Sequence, residues 1–146
     1  MGGDKWYLAG PMTGIPQFNF PAFEAAAWAL RKQGYDIISP HEEDPESIQE
    51  RAWESVAGDP ADLKAGKGIW GERLAHDVYL IVNGVTGLIL LPGWDKSRGV
   101  ALEATVALLE GKKFRVWDGR ISSTIPPEIV ARAIGQYIYE RVGGAW

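Results

Sequence analysis

The 146-residue chain contains no cysteine, which excludes disulfides, thiolate metal sites and cysteine nucleophiles together. Its two histidines, His41 and His76, have no partners at metal-ligand spacing, so neither a metal site nor a cofactor is expected. There is no Gly-x-Ser-x-Gly elbow for serine hydrolysis. Neither a Walker loop nor a Gly-x-Gly-x-x-Gly fingerprint occurs. No apolar run approaches the ~20 residues of a membrane span. Met1 to Lys5 hold no apolar signal region, which fits a cytoplasmic protein with no membrane partner. Basic residues are in deficit. The net charge of −4 argues against a nucleic-acid polymer as partner, because a phosphate backbone demands a basic surface. A small anionic ligand held by a local site remains compatible with that charge.

What is present is ordinary for one globular domain over residues 1–146: 46% hydrophobic and 23% charged, with no repeat or low-complexity tract. The seven tryptophans are many for this length, and read as core or interface anchors with one or two available to stack on a flat ligand. A strand is predicted over 5–9, running into the turn Gly10-Pro11-Met12-Thr13-Gly14, whose glycines permit close backbone approach to a ligand. A helix follows from about Asn19 and Pro21, with Phe23, Ala26, Ala27 and Leu30 as its core stripe and Gly34 as its left-handed end. A second strand covers 36–39 and is closed by Pro40.

The segment 42–70 is read as an excursion, a lid or a surface loop, with an acidic cluster and a helix over 48–56. Another helix spans 70–83, with Leu74, Val78 and Ile81 turned to the core. Strands over 86–91 and 114–117 flank a further helix. The last helix runs from Pro127 to about Val142, with Ile129, Ala133, Ile134, Tyr137 and Ile138 as its buried side. Strands alternating with helices imply an α/β fold, an open parallel sheet of four to five strands with helices on both faces. In such sheets ligands sit beyond the carboxyl ends of the strands, where residues 10–14, Pro40 with His41, and residues 93–98 all fall.

The chemistry gathers in Leu-Pro-Gly-Trp-Asp-Lys-Ser-Arg-Gly-Val-Ala-Leu-Glu, residues 91–103. Ser97 stands where a helix N-cap belongs, and the free amides behind it make an anion site. Glu103, six residues on, lies about 9 Å along the axis, the reach from a nucleotide's phosphate to its sugar. Its helix is apolar nearly all round, with Val100, Ala101, Ala104 and Ala107 on one side and Leu102, Val106 and Leu109 on the other. That pattern implies burial by the sheet and by a second subunit. Asp77 and Asp95 are the other carboxylates near the site, and a carboxyl pair is the usual equipment for breaking a glycosidic bond. Lys96, Arg98 and Gly99 adjoin the anion site, and Trp94 is the candidate stacking surface. Each has a plainer reading: Glu103 as an ion-pair partner of Arg98, Ser97 as a simple cap, Asp77 and Asp95 as cap or turn residues, Trp94 as a plug at the sheet's end.

Tyr-Leu-Ala-Gly-Pro-Met-Thr-Gly at 7–14, Phe-Asn-Phe-Pro-Ala-Phe at 18–23 and the 91–103 stretch resemble the nucleoside 2-deoxyribosyltransferase-like superfamily. Within it the chain is most similar to a small domain-of-unknown-function group (DUF4406-like) common in bacteriophages and bacteria. The resemblance implies a flavodoxin-like or Rossmann-like fold and cleavage of the N-glycosidic bond of deoxynucleosides or deoxynucleotides. It implies a glutamate nucleophile four residues after a glycine, as Glu103 follows Gly99, with Tyr7 helping to hold it and Asp77 as the assisting aspartate. Nucleotide N-hydrolases of this superfamily carry a phosphate-binding serine six residues before the nucleophile, where this chain has Ser97; transferases for free nucleosides usually have aspartate there. The resemblance also implies a homodimer or higher homo-oligomer.

The expected function is therefore N-glycosidic cleavage of a (deoxy)nucleoside 5′-monophosphate through Glu103, by hydrolysis or base transfer. The base is expected between the 10–14 turn and an aromatic such as Trp94. Two alternatives stand beside it: a nucleotide-binding or sensing module that leaves its ligand intact, and a glycohydrolase of NAD-like dinucleotides.

Overall fold

A computed structural model describes residues 3–63 and 69–143. Five strands form one sheet in the order β2-β1-β3-β4-β5: β1 (Lys5–Ala9), β2 (Asp36–Ile38), β3 (Gly87–Leu90), β4 (Lys113–Trp117) and β5 (Ser122–Thr124). The first four are parallel and β5 pairs antiparallel with β4. This is an open, mostly parallel sheet of flavodoxin-like order, whose switch point lies between β1 and β3. The register sets Tyr7 against Leu88 and Ala9 against Leu90, so β1 and β3 end level.

Strand alternation divides β1 between two cores. Tyr7 and Ala9 join Leu88, Leu90, Val100, Ala104 and Phe114 in the core under α4 (Ile69–Gly84), α5 (Arg98–Leu109) and α6 (Pro127–Val142). Trp6 and Leu8 join Phe23, Ala27, Leu30, Ile89 and Leu91 under α1 (Phe20–Lys32). Lys112 ties α4 to the sheet, its ammonium donating to the carbonyls of Val82 and Val85 at 3.2 and 3.0 Å. Basic side chains commonly serve the open carbonyls of a helix end in this way.

The excursion after β2 contains α2 (Pro40–Glu43), α3 (Glu46–Glu54) and a 3₁₀ turn over Pro60–Leu63. Residues 64–68 of the predicted lid lie outside the described residues. Its Ile48, Ala52 and Leu63 join Phe18 and Phe20, just before and at the start of α1, in a third cluster beside the two sheet cores.

Four local readings are corrected. Pro40 opens α2 instead of merely closing β2, because proline's fixed φ and missing N–H suit a first helical turn. Asn19 has φ +61 and does not cap α1 with its side chain; its amide donates to the Pro11 carbonyl at 2.9 Å, tethering the 10–14 turn. The short edge strand β5 was not predicted, since Ser-Ser-Thr has no apolar alternation. The buried stripe of α6 runs through Val130 and Ile134, whereas Ile129 and Ile138 are exposed. Ile134, Ala133 and Tyr137 of the expected side do lie inward, so only the margins of the stripe, Ile129 and Ile138, are misplaced.

Candidate active site

A cleft of about 460 Å³ opens over the carboxyl ends of β2, β1 and β3. Its β3 end is the start of α5. Gly93, at φ +86, turns the chain after β3, and Ser97 in extended conformation caps α5 by accepting from the Val100 amide at 3.3 Å. The amides of Arg98 and Gly99 belong to the first turn and have no intrahelical acceptor. Lys96, Ser97, Arg98 and Gly99 all line the cleft. The Arg98 guanidinium stands 5.8 Å from the centre of the Trp70 ring, a second wall of the same end. Cation, ring and open amides together suit this end of the cleft to an anion.

The centre belongs to β1, α4 and α5. Glu103 is only 7% exposed. The hydroxyl of fully buried Tyr7 donates to Glu103 Oε2 at 2.5 Å. Asp77 of α4 and Glu103 both line the cleft. Burial pushes the Glu103 carboxyl up to about 8, with the Asp77 charge adding to the rise and the Tyr7 hydrogen bond opposing it. Burial also raises Asp77, to about 6. Tyr7 is raised well above its ordinary range, first by burial and then by the Glu103 charge. Near neutral pH the two carboxyls therefore share about one proton as a pair.

The β2 end is lined by Pro40 and Asp44, by Phe18 and Leu63 of the third cluster, and by Met12 of the 10–14 turn. Here Asp44 grips Arg73 of α4 at two points, Nε to Oδ1 at 2.9 Å and Nη2 to Oδ2 at 2.8 Å. Phe18 reaches the cleft from a run of three residues with left-handed backbone, Gln17, Phe18 and Asn19, at φ +56, +52 and +61. Such conformations cost side-chain-bearing residues of order 1–3 kcal/mol each. Bonds from the Gln17 amides to the Trp53 and Ser55 carbonyls and the burial of Phe18 hold this run.

The structure thus brings Tyr7, Glu103, Asp77, Ser97, Arg98, Gly99, Gly10, Pro11 and Met12 to one place. It leaves out two residues singled out in the sequence. Trp94 packs half-buried against the core below α5 and α6, and Asp95 is exposed; neither lines the cleft. The cause is local, for the 3₁₀ turn Trp94–Lys96 after Gly93 rolls the tryptophan inward and the aspartate outward. The aromatics that do line the cleft are Trp70 and Phe18. The sequence reading also passed over Arg73 and Asp44. Arg73 had a signal, standing four residues before Asp77 on one helix face; Asp44 had none to set it apart from Glu42 and Glu43.

Among the described residues no group of three or more His, Asp or Glu side chains is placed to hold a metal ion. No helix among them is long and apolar enough to cross a membrane. A comparison with curated proteins gives no match. Residues 4–115, from before β1 into β4 and so including every cleft residue named here, match the family model described as a domain of unknown function (DUF4406), and the chain belongs to that family.

Proposed function

We propose that this protein cleaves the N-glycosidic bond of a 2′-deoxynucleoside 5′-monophosphate, as the resemblance to nucleoside 2-deoxyribosyltransferase-like enzymes implies. The observation that carries the reading is the buried Glu103 carboxyl, held by Tyr7, facing Asp77, a turn and a half from the open amides of its own helix. The 5′-phosphate rests on the Ser97 cap, the Arg98 and Gly99 amides and the flanking cations. The deoxyribose then lies over Glu103, and the base lies toward the apolar β2 end, beside Met12, Phe18 and Leu63.

The shared proton gives each carboxyl a role. Near neutral pH the proton sits mainly on Glu103; for attack it passes to Asp77, and the Tyr7 hydroxyl stabilises the Glu103 carboxylate so formed. A Glu103 oxygen attacks C1′ and forms an ester bond while the C1′–N bond breaks. The bonding electrons go to the base nitrogen, which takes the proton from Asp77. Water then attacks C1′, Asp77 accepts its proton, and Glu103 is released with 2-deoxyribose 5-phosphate. A second base in place of water gives transfer. Leu102 and Leu109 of α5 are left exposed, as a homo-oligomeric contact on this helix requires.

The test is chromatographic. Wild-type and Glu103→Ala proteins are incubated with each natural deoxynucleoside 5′-monophosphate and each free deoxynucleoside. Free base from wild type alone, and from nucleotides before nucleosides, is the expected result. Tight nucleotide binding without base release from any substrate overturns cleavage and leaves a binding or sensing module.

A further inference from the structure

Among the described residues, Arg73 is the cleft-lining cation whose charge acts on the carboxyl pair. It stands one helical turn before Asp77 on α4, half-buried, and its charge reaches both Asp77 and Glu103. A free arginine side chain samples many rotamers. Here two of its nitrogens are taken by Asp44, whose carboxyl is 8% exposed and whose backbone follows α2 at the entry of the excursion. A bidentate fork of this kind fixes direction as well as distance. The same ion pair therefore does two things: it pins the excursion to α4 across the β2 end of the cleft, and it fixes the position of a cation whose charge acts on the carboxyl pair one helical turn away.

We propose that Arg73 is a positioning residue for the Asp77–Glu103 pair, and that Asp44, supplied by the excursion, is the arm that holds it in place. For the chemistry the proposal rests on the glycosidase reading; for the charge of the pair it does not. Among the described residues, the groups that act on the two carboxyls are Tyr7 from β1, Arg73 and, through its charge, His76 from α4, and Asp44 from the excursion. Arg73 favours the ionised form of both carboxyls, while the Asp44 charge opposes ionisation of Asp77. Removing Asp44 therefore sets two effects in opposition: it withdraws a charge that disfavours ionisation of Asp77, and it frees the cation that favours it, and a fork that holds Arg73 in place makes the second effect the larger.

That opposition is the test. Carbon-13 carboxyl shifts of Asp77 and Glu103 are followed against pH in the full-length protein without ligand, for wild type, Arg73→Met, Arg73→Lys and Asp44→Asn. Both substitutions that break the fork, Arg73→Met and Asp44→Asn, should lower the thermal midpoint. Arg73→Met should move the titration of the pair to higher pH by about one unit, Asp44→Asn should move Asp77 in the same direction by less, and Arg73→Lys should stay near wild type. A fork that holds nothing in place leaves Asp44 to act through its own charge alone, so that Asp44→Asn moves Asp77 to lower pH; that outcome, or no shift in either variant, overturns the proposal. If Arg73→Met does not fold, the direction of the Asp44→Asn shift still decides it. The acid limb of base release from a deoxynucleoside 5′-monophosphate should move in the same direction. Absence of base release in every variant sinks the glycosidase reading and leaves the titration result standing.

Discussion

On one side of the cleft, Ser97, Gly99 and Glu103 ride on α5, which is rooted in the sheet core through Val100, Ala101, Ala104 and Ala107. On the other side, Pro40, Asp44 and Leu63 ride on an excursion with a small cluster of its own. Point attachments hold that side down: the Asp44–Arg73 fork, the Gln17 amides on the Trp53 and Ser55 carbonyls, and the Gly14 amide on the Gly58 carbonyl at 2.9 Å. The first wall forms wherever the sheet forms. The second forms only if several specific ties are made, and it is the side we assign to the base. On the proposed function, a firmly rooted wall would hold phosphate and nucleophile while the other, held by separate ties, would let one framework accept different bases without moving its carboxyls.

The comparison breaks most visibly in the cores. Phe114→Ala, in the main core, should cost about 3–5 kcal/mol, read as a fall in the denaturant midpoint with every protected amide lost together. Ile48→Ala, in the excursion cluster, should cost less, about 2–3 kcal/mol. Its mark should be faster hydrogen exchange over 40–63 while β1 and β3 keep their protection. Equal loss of protection in both regions shows the two walls to be one cooperative unit. Gly58→Ala sharpens the point. The glycine has φ +69, and a Cβ there falls 2.1 Å from the Ile15 carbonyl oxygen. The substitution should cost roughly 2 kcal/mol and loosen the excursion over 55–63 without altering the Tyr7–Glu103 bond.

The two walls also differed in how far they could be read from the sequence. The framework was legible because periodicity and caps are local signals. Phe23, Ala26, Ala27 and Leu30 are all buried as the helical stripe required, and Ser97 caps α5 with its own oxygen. The excursion was not, since its ties are long-range. Nothing near Asp44 announces Arg73, and nothing near Gln17 announces a left-handed run secured by carbonyls some 36 residues away. Trp94 and Asp95 misled because a single positive φ at Gly93 decides which side chain turns inward.

Glu103 tests whether the rigid wall bears the cost of its chemistry. Its folded-state value of about 8 lies above that of an unfolded glutamate. Below the ordinary glutamate range both states are protonated and burial of the group adds no penalty. Between that range and about 8 the unfolded chain releases its proton while the folded chain keeps it, so stability falls as pH rises. Glu103→Gln should therefore match wild type near pH 4 and exceed it by a margin that grows steadily toward pH 8, measured by urea unfolding at each pH. Parallel stability curves for the two proteins would contradict the buried, protonated state.

Ser97→Ala is the smallest change and the most selective. Removing the oxygen that receives the Val100 amide should cost about 1 kcal/mol, with no dependence on pH because no titrating group is lost. The same substitution withdraws a hydroxyl from the end of the cleft suited to an anion while leaving Tyr7, Asp77 and Glu103 where they are. Binding of a deoxynucleoside 5′-monophosphate, measured calorimetrically on the Glu103→Gln background so that the ligand stays intact, should weaken about tenfold, which is ~1.4 kcal/mol. Binding of the matching free nucleoside should be unchanged. Equal weakening of both ligands would mean that the serine acts only through the helix it caps, and the phosphate would have to be placed elsewhere along the cleft.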